Sequence, residues 1–206
     1  GWFISRIAIS DYLSNDKLRV FDIKPLFLYS IPVLVQSVAM ASLYSMDLVL
    51  VKHFFSSHDS GIYASLSTLG KIIFFGAGPI GAVMFPIVAK KQAKGENYGE
   101  VFKLSLLLTI SLALVILLVY WSVPELAIRI LYGTLYLEGA SLLIWYGIYI
   151  TLFTLSYLIT SYNLSIGRTK IVILPSIASI IQIIGIWILH TDLMVVITIS
   201  IIVNAL

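Results

Sequence analysis

Residues 70–86 read GKIIFFGAGPIGAVMFP. Inside them GAGPIG (76–81) has the G-x-G-x-x-G spacing of a dinucleotide-binding loop. Such a loop needs a strand before it and a soluble βαβ unit around it. Here the neighbouring residues belong to a long apolar run, and Pro79 removes one of the backbone donors that would meet a phosphate. The stretch reads instead as a broken transmembrane helix, whose freed carbonyls must be satisfied by other helices or by water. Two readings stay open. Gly76, Gly78, Pro79 and Gly81 form either a packing kink, where small residues let helices approach, or a hinge in a discontinuous helix beside a transport cavity.

Composition supports the membrane. Of the 206 residues 60% are hydrophobic and only 11% are charged, too few to cover a soluble surface. There is no cysteine, which removes disulfides, thiolate metal sites and cysteine nucleophiles together. The three histidines form no ligand motif, so no metal site is expected. No cofactor is expected either. The chain begins without methionine, shows no signal peptide, and ends inside an apolar run, which reads as part of a longer protein.

A span needs about 20 apolar residues to cross ~30 Å of hydrocarbon. On that ruler residues 1–9 are the end of a preceding span, and 11–24 a polar loop. Six spans follow, at about 25–51, 61–89, 104–121, 140–162, 171–189 and 193–206. The expected fold class is all-α, a polytopic membrane helix bundle. Residues 122–139 are amphipathic and carry a short interfacial helix. Lysine and arginine set the orientation. Ten of the 13 basic residues fall in the loops 11–24, 90–103 and 163–170 or at the span ends beside them. Only Lys52 and Arg129 fall on the other side, and Lys71 lies within a span. The ten-to-two split places the three basic loops in the cytoplasm, and topology explains the net charge of +3 with no nucleic-acid partner.

An ionisable group in the bilayer costs roughly 2.5–3.5 kcal/mol on insertion scales, so it marks a functional candidate. Lys71 lies ten residues into its expected span, ~15 Å deep. Ser67 and Thr68 stand one turn earlier and would give it a small polar face lining a water-filled cavity. The other reading is a structural salt bridge or a lysine reaching an interface. Gln36, Met40, Tyr44 and Asp47 share one stripe of the first full span. Asp47 is expected to pair with Lys71, to cap a neighbouring helix, or to bind a coupling cation. Tyr149, Phe153, Tyr157 and Thr160 form an aromatic stripe for helix packing or for stacking on sugars. No catalytic constellation is visible, and the chain is not expected to be an enzyme.

Four stretches, in order, are similar to the C-terminal half of the polysaccharide-export flippases. These are the O-antigen and teichoic-type lipid-linked saccharide transporters of the multidrug/oligosaccharidyl-lipid/polysaccharide superfamily. The stretches are MDLVLVKHFFSSHDSGIYASLSTL (46–69), GAVMFPIVAKKQAKG (81–95) with its FP, AIRILYGTLYLEGASLLI (127–144) with its LYG, and SYNLSIGRTKIVIL (161–174) with GR-x-K. The resemblance implies two six-helix lobes that rock around a central cavity. Residues 1–24 would be the end of the first lobe and the loop between lobes, and 25–206 the second. It implies a prokaryotic cytoplasmic membrane, an undecaprenyl-diphosphate-linked glycan as cargo, membrane lipids and an N-terminal lobe as partners, and cavity cations that hold the diphosphate. Lys71 fits that last role by helix position and residue type. The alternatives are a cation-coupled multidrug exporter of the same superfamily and a membrane-embedded polysaccharide polymerase or ligase.

The absence of native cysteine makes the orientation directly testable. His58→Cys is expected to react with a membrane-impermeant maleimide in intact cells, and Lys94→Cys only after permeabilisation. The opposite pattern would invert the topology.

Overall fold

Long apolar runs placed in hydrocarbon must satisfy every backbone group internally, and helices do so. The computed structural model describes residues 23–206, and it is all-helical, without strands among them. The expectations for residues 1–9 and for the loop up to residue 22 lie outside the described residues. Among the described residues seven α-helices run in order: α1 (Ile23–Phe54), α2 (Ser57–Ala93), α3 (Gly99–Ser122), α4 (Pro124–Tyr132), α5 (Ala140–Ser165), α6 (Ile173–Ile188) and α7 (Leu193–Ala205). Short 3₁₀ turns precede α5 and α6, and the latter joins α6 into one apolar stretch, Thr169–Ile188. Five helical stretches are long and apolar enough to cross a membrane, while α7 is apolar but shorter.

Helices stand where the six spans were expected, with shifted ends, and the last of them, α7, is too short to count among the five. α2 begins at Ser57 rather than at residue 61 because Ser56 caps it. The Ser56 hydroxyl accepts the Asp59 amide at 3.1 Å and donates to the Asp59 carboxylate at 2.7 Å, a local N-terminal closure. Most of the expected outward loop 52–60 is therefore helix. At the other end α2 continues through Lys90 and Lys91 to Ala93, so part of the expected charged loop is helical too. Its 37 residues make a rod of roughly 55 Å, longer than the hydrocarbon is thick. The amphipathic segment forms α4, with Pro124 at its first turn. Gly133 (φ 70°) and Gly167 (φ 79°) stop α4 and α5 in the left-handed region, which suits a residue without Cβ. They are the glycines of LYG and GR-x-K.

One expectation is corrected here. α2 is continuous from Ser57 to Ala93 and runs through Gly76, Gly78, Pro79 and Gly81 without interruption. The segment is not a discontinuous helix. Pro79 and Pro86 withdraw single donors from the ladder, and the turns on either side keep theirs.

Residues 32–206 pack as one unit. α5 is its centre and touches α2, α3, α4 and α7. Its buried positions include Leu143, Tyr146, Gly147, Ile150, Phe153, Thr154 and Leu158, recurring every three to four residues. From α1 the core receives Met40, Leu43, Leu50 and Val51, and from α2 Tyr63, Leu66, Leu69 and Ile73. Close approach depends on glycines outside the GAGPIG motif. A Cβ on Gly70 would strike the Tyr146 ring, one on Gly139 would come within 2.6 Å of Ile62, and one on Gly147 within 2.8 Å of Leu117. Small residues at such crossings let backbones close in where no hydrophobic effect drives them together.

Gly70→Ala is expected to destabilise the purified protein by about 1–3 kcal/mol, as overpacking of a filled core does. Thermal unfolding in detergent measures it. An unchanged melting temperature would show that the Tyr146 ring can move aside.

Candidate functional site

The candidate residues separate into a buried group and a surface group. Asp47 is 0% exposed. Its Oδ2 accepts the Tyr63 hydroxyl at 2.8 Å and the Tyr146 hydroxyl at 3.0 Å. The two donors come from α2 and α5, so one carboxylate ties three helices. Ser67 is buried beside them, with Oγ 3.1 Å from the Tyr146 hydroxyl. The second oxygen, Oδ1, has no hydrogen-bond partner among the described residues. Gln36 is buried further along the same face of α1.

Lys71 takes another position. It is half-buried on α2, and its Nζ stands 4.1 Å from the centroid of the Tyr44 ring. Phe74 and Phe153 brace that ring, with centroids 5.2 and 5.6 Å away. A cation over an aromatic face is stabilised by roughly 0.5–2 kcal/mol. No carboxylate lies within 4.0 Å of Lys71 among the described residues, so the expected Asp47–Lys71 salt bridge is not formed. The reason is geometric: two phenols already occupy Asp47 within the bundle, whereas Lys71 leans on Tyr44 at the flank of α1.

The expected polar face of Ser67, Thr68 and Lys71 is therefore divided. Ser67 turns into the core, while Thr68 is exposed and donates to Ala64 O of its own helix at 3.0 Å. Gly76, Gly78, Pro79 and Gly81 lie one to three turns further along α2, away from the Asp47 group. On the aromatic stripe of α5, Tyr149, Phe153 and Thr160 are buried in helix packing and Tyr157 is half-buried.

Reading the sequence missed the partners. Tyr63 and Tyr146 are 16 and 99 positions from Asp47, and nothing local announces them. Gln182 was the more legible omission, a lone amide in IIQIIG. It is fully buried, and its Nε2 donates to Ser200 Oγ at 2.9 Å and reaches the Tyr149 hydroxyl at 3.5 Å. Tyr149 in turn donates to Leu43 O on α1. The polar groups thus form a chain across α1, α5, α6 and α7. Apart from it, an apolar groove of about 260 Å³ opens between α1, α5, α6 and α7, lined by Met40, Leu43, Thr160, Pro175 and Asn204 among others. No group of three or more metal-ligating side chains occurs among the described residues.

Tyr63→Phe and Tyr146→Phe are each expected to cost about 1–2 kcal/mol, the scale of buried interhelical hydrogen bonds in membranes. The double variant should cost more than the sum, because it strips Asp47 Oδ2 of both donors. Additive losses in melting temperature would show that the carboxylate finds other donors.

Comparison with known proteins adds one finding. Residues 3–141 match the family model described as polysaccharide biosynthesis protein. No curated protein and no solved structure matches the chain. The match covers more than half of the residues and spans α1 to α4, including Asp47, Lys71 and the GAGPIG stretch. This chain belongs to the polysaccharide biosynthesis protein family.

Proposed function

We propose that the protein is a flippase for lipid-diphosphate-linked oligosaccharide, working by alternating access in the cytoplasmic membrane with the basic loops inside. Membership of the family supports a role in polysaccharide biosynthesis, and the membrane-spanning helices suit a multi-pass transporter. The observation that carries the reading is Lys71. Its ammonium stands within a span and has a ring as its neighbour rather than a carboxylate. An ion there costs roughly 2.5–3.5 kcal/mol and one cation–π contact returns ~0.5–2 kcal/mol, so the charge is under-compensated. A diphosphate supplies the missing anion.

In this mechanism Lys71 receives the diphosphate as a compact point charge. Tyr44 holds the ammonium at depth until the anion arrives. The apolar groove is suited to a hydrocarbon tail. Asp47 has a structural part, since its carboxylate is enclosed and already holds two donors. That arrangement favours the flippase over the cation-coupled drug exporter, which needs an acidic group reachable from the cavity.

The test uses cells lacking the protein, rescued with wild type, Lys71→Arg or Lys71→Ala at matched membrane levels. Wild type and, in part, Lys71→Arg are expected to restore lipid-linked glycan at the outer leaflet. Lys71→Ala should lower it by at least roughly ten-fold, the loss of one charge-assisted contact, with glycan accumulating inside. Full rescue by Lys71→Ala would end the assigned role of Lys71. Failure of wild type to restore export would sink the flippase reading.

A further inference from the structure

The glycines of α2 fall into two kinds. Gly70 is a packing glycine, since a Cβ there would collide with the Tyr146 ring. The motif glycines are not. A Cβ on Gly78 would meet nothing within 4 Å, and one on Gly81 would make an ordinary 3.7 Å contact with Leu158. At Gly76 the nearest atom would be the end of the Leu112 side chain, at 3.0 Å. Close packing thus does not account for Gly78 and Gly81, and each weakens a long helix relative to alanine. Something other than the packing seen here must favour them.

Their surroundings supply it. Gly78 and Gly81 border a narrow gap of about 10 Å³ between α2, α3 and α5, together with Thr109, Thr154 and Leu158. Thr109 is 1% exposed, yet its Oγ1 has no partner among the described residues. Pro79 and Pro86 lie on the outer side of α2, and both are exposed. A proline ring presses against the carbonyl four residues back, at Phe75 and Ala82, and opens the helix on its own side. The bend it favours is convex outward and concave toward the gap. On the concave side stand two glycines with no side chain to obstruct closure.

We propose that residues 76–86 of α2 are a directional hinge. The helix is continuous in one state, the one seen here. In the other it bends over Gly78 and Gly81 into the gap toward Thr109, with Pro79 and Pro86 on the outside. α2 carries Lys71 one to two turns before this hinge, so bending changes the direction of the arm that bears the cation relative to the arm that ends at Ala93.

The experiment measures the bend itself. Because the chain has no cysteine, Ser57→Cys and Lys90→Cys can be spin-labelled alone in the full-length protein in lipid bilayers. The label-to-label distance distribution is expected to contain two components, the shorter one from bent α2. Gly78→Ala with Gly81→Ala should reduce the shorter component by roughly ten-fold, because two Cβ atoms raise helix propensity and fill the gap. The melting temperature should stay level or rise. A single distance in the wild type, or the same distribution in both proteins, would overturn the hinge. So would a fall in melting temperature or failure of the double variant to fold, either of which would return these glycines to packing. The measurement needs no transported molecule, so its outcome is separate from that of the flippase test.

Discussion

A carboxylate with no exposure to solvent holds this bundle in register. Asp47 Oδ2 receives phenols from two other helices, and one of them, Tyr146, also meets Ser67. In hydrocarbon an unmatched charge is costly, while a matched one fixes rotation and depth together. If α1 turned about its axis, Asp47 would lose both donors. If α2 or α5 slid by one turn, one donor would leave. The nearby aromatic contacts depend on this register: Tyr63 meets Tyr146 edge-on at 5.4 Å, and Tyr146 meets Tyr149 at 5.2 Å. Gly70 is glycine because the Tyr146 ring, pinned by its hydroxyl, occupies the space where a Cβ would be.

Much of the architecture was legible before any coordinates. The all-helical class, the helix order and the amphipathic α4 follow from hydropathy and length, which act locally, whereas of the six expected spans five are long enough to cross a membrane. The boundaries were less legible. Ser56 and Asp59 start α2 early, because capping is decided by two side chains and a turn rather than by hydropathy. Lys90 and Lys91 remain helical because a charge does not end a helix that projects beyond the hydrocarbon. The glycine–proline stretch misled in a related way. Composition announces a weakness in the ladder, but whether a weak ladder breaks depends on the neighbouring turns and helices, and here they hold.

The site was half legible for the same reason. Asp47 and Lys71 stand out because ionisable residues are rare in spans, so chemistry alone flags them. Opposite charge made mutual pairing one of three roles open to Asp47, beside capping a helix and binding a cation. It could not be known that Tyr63 and Tyr146, distant in sequence, reach Asp47 and satisfy it. Pairing is a tertiary competition, and a single chain of letters gives the candidates without the outcome. Ser67 and Thr68 illustrate this at the smallest scale. They are adjacent, yet the helix turns one to the core and the other outward.

That competition is also what gives Lys71 its character. Had Asp47 been free, the nearby ammonium would have been its natural partner, and the two charges would have cancelled as a structural pair. The two tyrosines hold Oδ2 of the carboxylate instead. Lys71 is left on Tyr44, a neighbour that steadies a cation without neutralising it. The flippase proposed above would need such an arrangement, since a cation already neutralised by its own chain has little left for a ligand. It also needs the contact to be reversible, and a cation–π contact yields to a phosphate more readily than a buried salt bridge would. The buried network and the half-buried cation are therefore linked: the phenols hold the Asp47 carboxylate in their own hydrogen bonds, and Lys71 makes no direct ion pair with it.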